Sequence, residues 1–134
     1  MPEYIRKEGG IMNIFDKENH LKRIRRFTTH GMHHATIAYK LVFDKPHKIM
    51  FALSYLNSAI SYFSAARSLY FAYVDRYENS VIESVFDAFT SFSDELLSNA
   101  LEDHSHQWTD EKFTNFKNQL MNSPLALDVV KTSK

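Results

Sequence analysis

Two histidines one helical turn apart come closest to a recognisable chemistry. His30 and His34 are four residues apart, the spacing at which a helix presents two imidazoles to one metal ion. Glu83 and Asp87 have the same spacing and would complete a metal site if their helix were a neighbour of the first. The alternative is that both histidines make ordinary hydrogen bonds, because such pairs recur by chance in a chain with seven histidines. We favour this alternative and expect no cofactor.

A dense group of basic residues lies upstream of these histidines, at Lys22, Arg23, Arg25 and Arg26. Such a stripe can contact phosphates. It can also attract an acidic helix, within one chain or across a dimer. The formal net charge of the chain is zero, so no whole-molecule field steers nucleic acid towards it. We therefore predict a protein-binding role for the basic residues, with nucleic acid as the open alternative.

Arg67 is the only charged residue between Met50 and Val74. Burying an unpaired guanidinium costs several kcal/mol. We expect Arg67 to pair with Asp87 or Asp94, or else to mark where its helix reaches solvent, and a site for an anionic partner is the third option.

The residue types needed for covalent catalysis are scarce. The chain has no cysteine and three glycines, which excludes disulfides, thiolate zinc sites and a glycine-rich phosphate loop. We expect a non-catalytic protein. Without disulfides, and with Arg6, Lys7 and Glu8 interrupting any early apolar run, the predicted location is the cytoplasm.

The elements that position these residues are predicted to be helices. Residues 46–77 contain no internal helix breaker and carry apolar or small residues on every side. Interleaved serines make this stretch too polar to cross a membrane. We expect a core helix that its neighbours wrap. A small bundle cannot easily cover every face of so long a helix, and the leftover apolar surface suggests a partner, most cheaply a second copy. A chain of 134 residues fits a single domain.

Capping signals divide the rest of the chain. Helix one is predicted from an N-cap at Asp16 to about Phe43, and Pro46 suits the first position of helix two. A capping box at Ser80–Glu83 predicts the start of helix three. Thr109 is the predicted N-cap of helix four, with Trp108 and Phe113 as a hydrophobic staple and an end near Met121. One or two further turns are expected from Ser123 to Val130.

Small residues predict how the first two helices pair. Ala52, Ala59 and Ala66 recur every seven residues, as do Ile24, Gly31 and Ala38. Folding the chain about Lys45 sets the two series opposite each other, so that the helices approach at the short end of packing distances. Gly31→Leu is predicted to overpack this seam.

The first residues are predicted to be irregular. Lys7-Glu8-Gly9 can be encoded by a purine-rich bacterial ribosome-binding sequence, with Met12 at a suitable distance downstream. We expect translation to start at Met12 in a bacterial or phage protein. Residues 1–15 are then a disordered or irregular segment, and residues 16–131 form the domain.

The segment 57–69, NSAISYFSAARSL, resembles the aromatic-and-alanine helix of HEPN domains. Members of that family are helical bundles often found in bacterial toxin and phage-defence systems as dimeric RNases. The resemblance implies RNA binding or cleavage. The family's pattern of an arginine followed closely by a histidine is matched by Arg25 with His30 and by Arg26 with His33, on the first helix, whereas the family places it late in the fold.

Together these features predict an all-α protein, an antiparallel bundle of four main helices plus a short C-terminal helix. The predicted function is that of a non-catalytic adaptor or regulator acting through protein–protein contacts, most simply as a homodimer. The alternatives are an HEPN-like RNA-binding or RNA-cleaving protein and a bundle that binds metal through histidines and carboxylates.

Overall fold

The computed structural model describes residues 14–44, 46–74, 78–102 and 106–126. Within these ranges the chain forms four helices and no strand, which confirms the all-α prediction. The helices are α1 (Ile14–Val42), α2 (Ile49–Ala72), α3 (Ser80–Glu102) and α4 (His106–Met121). The predicted start site at Met12 and residues 127–130, which are half of the predicted C-terminal helix, lie outside the described residues.

Two predicted helix starts are wrong by a few residues. α1 already includes Ile14, so Asp16 lies in its first turn and is not the N-cap. α2 begins at Ile49, three residues after Pro46. Pro46 instead belongs to a turn in which the Lys48 amide donates to the Asp44 carbonyl at 2.9 Å. This turn reverses the chain between α1 and α2.

The N-cap of α3 is Asn79, one residue before the predicted capping box. Its Oδ1 accepts hydrogen bonds from the amides of Val81 at 2.9 Å and Ile82 at 3.1 Å. These amides have no partner within the helix. The Glu83 side chain cannot close the predicted box, because its Oε2 accepts a hydrogen bond from the Tyr70 hydroxyl at 2.6 Å.

The predicted cap and staple of α4 are also wrong. α4 begins at His106, and Thr109 lies buried in its first turn, where its Oγ1 accepts a hydrogen bond from Asn99 Nδ2 at 2.7 Å. Trp108 is 61% exposed and therefore does not staple onto the buried Phe113. Thr109, which the sequence pattern assigned to the N-cap, thus makes a buried hydrogen bond with α3 instead.

The small-residue seam between α1 and α2 is present. Ile24, Ala38, Ala52, Ala59 and Ala66 are all fully buried. α1 and α2 form the most extensive pair of helices in the described chain. The predicted use of small side chains to bring these two helices close is confirmed.

Stacked aromatic rings join all four helices in the core. Phe63 of α2 stacks on Phe89 of α3 at 4.1 Å between ring centroids. Phe92 of α3 stacks on Phe116 of α4 at 5.6 Å, and Tyr39 of α1 stacks on Phe113 of α4 at 4.0 Å. Every helix therefore contributes an aromatic side chain to one core.

α2 is not wrapped on every side. Its buried side chains form a single stripe: Ala52, Leu56, Ala59, Phe63, Ala66 and Tyr70. α1 runs along this stripe, whereas α3 touches α2 much less. The other helices lie on one side of α2 and leave its opposite side exposed.

Candidate interaction surfaces

The histidines of α1 pack against tyrosines of α2. The Nδ1 of His34 lies 2.6 Å from the Oγ of Ser58. The ring of His34 also meets Tyr55 and Tyr62 edge-on, and His30 stacks on Tyr62 at 5.3 Å. Burial lowers the pKa of His34, and the neighbouring His33 and His30 lower it further. His34 is therefore neutral at pH 7 and serves as a hydrogen-bonding side chain in the α1–α2 contact.

The structure does not assemble the predicted metal site. Glu83 bonds to Tyr70, which lies two turns, or about 12 Å, along α2 from the Tyr62 that contacts His30 and His34. Asp87 is exposed on α3. In the described ranges, no three histidine or carboxylate side chains are grouped so that they could hold a metal ion. The imidazoles lie against Tyr55, Ser58 and Tyr62 of α2, whereas α3 packs on Phe63 and Tyr70 of that helix.

The predicted partner-binding residues separate into two environments. Lys22, Arg23 and Arg26 are exposed along α1. Arg25 is half-buried, and its Nη2 donates to the Pro124 carbonyl at 3.1 Å. Arg25 therefore holds the segment after α4 against α1, and three of the four basic residues are free to meet a partner.

Arg67 lies where α2 reaches solvent. Its side chain is exposed, and the guanidinium carbon is 5.1 Å from the centroid of the Phe71 ring. This is a cation–π distance. The predicted pairing with Asp87 or Asp94 is not found, and the second expectation for Arg67 holds.

Charge is divided between the two helix pairs. Residues 19–74, which carry most of α1 and all of α2, contain eight lysines and arginines and a single carboxylate, Asp44. Residues 78–121, which carry α3 and α4, contain nine carboxylates and two lysines. The zero net charge thus conceals a basic α1–α2 side and an acidic α3–α4 side.

Within the described residues, α2 keeps an exposed outer face. We use this name for Met50, Phe51, Ser54, Asn57, Ser61, Ser64, Ser68 and Phe71. It lies opposite the buried stripe, and the exposed Arg67 lies at its edge, 5.1 Å from the centroid of the Phe71 ring. Met50, Phe51 and Phe71 are 73%, 58% and 42% exposed. The length of this helix predicted leftover apolar surface but not which residues form it, although polar residues at positions 54, 57, 61, 64 and 68 alternate three and four apart, a spacing that marks one side of a helix.

By length and composition, α2 is the one helix in the described part of the chain that could span a membrane. Its most apolar window has a mean hydropathy of 1.2, and 28% of that window is buried.

No family model, curated protein or solved structure matches the chain. The resemblance to HEPN domains is thus not supported by a matching family, and one of its two arginine–histidine pairs is held in other contacts. Arg25 binds the Pro124 carbonyl, and His30 stacks on Tyr62. The surfaces described above are the basis for assigning a function.

Proposed function

We propose that this protein is a non-catalytic adaptor or regulator, of bacterial or phage origin, that acts in the cytoplasm by binding protein through the outer face of α2. We further propose that the four helices form one antiparallel bundle that self-associates. Contacts between the ends of helices support this topology. Tyr70 near the end of α2 bonds to Asn79 before α3, and Phe43 after α1 meets His106 at the start of α4.

The exposure of the outer face of α2 carries the proposal. Met50 and Phe51 at one end of the face and Phe71 about 30 Å away at the other end are large apolar side chains exposed to water. Aromatic residues and methionine are enriched in interfaces. A protein partner would remove these side chains from water.

The polar residues of the same face favour protein over lipid. Ser54, Asn57, Ser61, Ser64 and Ser68 run down its middle. In hydrocarbon their polar groups would meet no water, whereas a facing protein surface can satisfy them. The combination of small polar groups with aromatic edges therefore suits a second helix better than a bilayer.

Site-specific photo-cross-linking in the native host tests this function. A photoreactive phenylalanine analogue is placed at Ser61 or Phe71, and at Asn115 on the exposed surface of α4 as the control. We expect discrete protein adducts from the two α2 positions and none from position 115. If no α2 position gives a protein adduct, the proposal is wrong.

Nucleic acid is a second candidate partner, favoured by the charge of the α1–α2 side. Lys22, Arg23 and Arg26 are exposed beside His30 and Tyr62, and α1 has no carboxylate after Glu18. Basic groups beside aromatic rings bind single strands through phosphate contacts and base stacking. The same residues are the basis for the HEPN-like alternative, an RNA-binding or RNA-cleaving protein.

Binding to a single-stranded RNA oligonucleotide tests the second candidate. Arg23→Glu and Arg26→Glu should weaken binding and reduce its salt dependence by about one slope unit per lost phosphate contact. Lys117→Glu, an equal change of charge on exposed α4, should have little effect. Equal effects of all three variants would mean that no defined site exists on α1.

A further inference from the structure

We propose that the outer face of α2 binds the same face of a second copy of this chain, with the two helices antiparallel and Ser61 on the two-fold axis. This inference rests on the proposed function, since it names the occupant of a face whose role in protein binding is itself proposed. It adds the identity of the partner, the direction of the paired helices and the residue at the centre.

Two pairs of residues of the face are arranged symmetrically about Ser61. Ser54 and Ser68 each lie seven residues from it, and Phe51 and Phe71 each lie ten. An isologous two-fold interface requires a surface that is complementary to itself. In an antiparallel pair centred on Ser61, Ser54 of one copy lies level with Ser68 of the other, and Phe51 lies level with Phe71.

The sizes of these side chains suit such a pairing. The centre of the face carries Ser61, flanked by Asn57 and Ser64, so two helix backbones can approach closely there. The phenylalanines lie towards the two ends, where they add apolar contact area beside the seam. Arg67 is the one charged residue among the exposed residues of α2, and in an antiparallel pair centred on Ser61 the two copies of Arg67 lie about 18 Å apart along the helices.

Charge beside the face favours the antiparallel direction. His34 contacts Ser58 and His30 contacts Tyr62. A residue four positions earlier on α1 therefore lies level with a residue four positions later on α2. Arg26 therefore lies level with Ala66, near Arg67. A parallel dimer would place these basic ends of two copies side by side, whereas an antiparallel dimer separates them along the length of α2. The helix dipoles favour the same direction.

The size of the face predicts a reversible dimer. α2 has 24 residues, and a face about 36 Å by 10 Å on each copy amounts to roughly 700 Å² in total. This is smaller than the interfaces of obligate dimers. We therefore expect association that depends on protein concentration and is best tested by trapping the dimer covalently.

Disulfide trapping tests the arrangement directly, because the chain has no cysteine of its own. Four single variants of exposed serines are compared under mild oxidation: Ser54→Cys, Ser61→Cys, Ser68→Cys and, as a control on α3, Ser91→Cys. Ser61→Cys should cross-link with itself. Ser54→Cys and Ser68→Cys should cross-link when mixed, while each alone gives no more dimer than Ser91→Cys.

The other outcomes overturn the inference in distinct ways. Efficient cross-linking of Ser54→Cys with itself would show a parallel pair. If Ser61→Cys gives no more dimer than Ser91→Cys, α2 does not pair with itself. In that case, photo-adducts of another protein at Ser61 would leave the adaptor proposal standing, and the absence of adducts would remove both.

Discussion

Gly31 is the residue on which the close approach of α1 and α2 depends. A Cβ atom at this position would lie 2.6 Å from Cε2 of Phe63 and 3.2 Å from Cβ of Tyr62. Phe63 cannot easily move away, because its ring stacks on Phe89 and meets Phe116 edge-on. The absence of a side chain at Gly31 therefore fixes the separation of the two helices.

Gly31→Ala is predicted to destabilise the protein, although alanine is the better helix former. Helix propensity alone would favour the variant by about 1 kcal/mol, whereas overpacking costs ~1–3 kcal/mol. Urea unfolding should show a lower free energy of unfolding, with a larger loss for Gly31→Leu. Asn19→Ala, at an exposed position of α1, controls for propensity. A stabilised Gly31→Ala would contradict the packing described here.

Tyr70 links the end of α2 to the start of α3. Its hydroxyl accepts a hydrogen bond from the Asn79 amide at 2.7 Å and donates to Glu83 at 2.6 Å. Burial, chiefly, and the Glu83 hydrogen bond raise the pKa of Tyr70 to about 12. Tyr39 is similar, since burial and its hydrogen bond to Asp110 also raise its pKa to about 12.

The raised pKa values predict a loss of stability at alkaline pH. In the unfolded chain both tyrosines ionise near pH 10. Their contribution is therefore fully present below pH 10 and is lost as the pH rises from about 10 to about 12. Urea unfolding should show this decline, and a Tyr39→Phe/Tyr70→Phe double variant should show a shallower one. Equal declines would mean that these hydroxyls do not titrate as described.

At the scale of the element, the start of α3 depends on Asn79 and not on the capping box that the sequence suggested. Asn79→Ala removes the side chain that accepts from two amides of the first turn and should cost about 1 kcal/mol. Ser80→Ala should change the free energy of unfolding much less, because Ser80 makes no capping contact with that turn. Thermal or urea unfolding measures both. A larger loss for Ser80→Ala would contradict the cap.

A helix was predicted well where the residues that define it are close together in the sequence, and poorly where they depend on contacts with another helix. Ala52, Ala59 and Ala66 pair with α1 through a repeat that can be read from the chain alone. Thr109 was misplaced because its role depends on Asn99 of another helix, and Glu83 because it bonds to Tyr70 of α2. The length of α2 predicted that its neighbours would leave apolar surface uncovered. The particular residues left exposed could not be predicted, since apolar composition does not say on which side a helix has neighbours.

At the scale of the molecule, the fold converts a neutral chain into one with a basic and an acidic side. The sequence showed the basic residues of α1 and the acidic residues of α3. It did not show that α2, with Arg67 and no carboxylate, would extend the basic side. The four proposed metal ligands depend on how the helices are arranged: Glu83 bonds to Tyr70 and Asp87 is exposed, while His30 and His34 contact Tyr62 and Ser58 of α2.

The mass of the protein in solution tests the central claim, that the outer face of α2 is a protein-binding surface that pairs with itself. Sedimentation or light scattering over a range of concentrations should show a rise from the chain mass of 15.7 kDa towards twice that value. Ser61→Glu would place two like charges at the centre of the interface and should leave a monomer, whereas Asn115→Glu on α4 should associate like the wild type. A wild-type protein that stays monomeric at every concentration, or a Ser61→Glu variant that dimerises equally well, would contradict the claim.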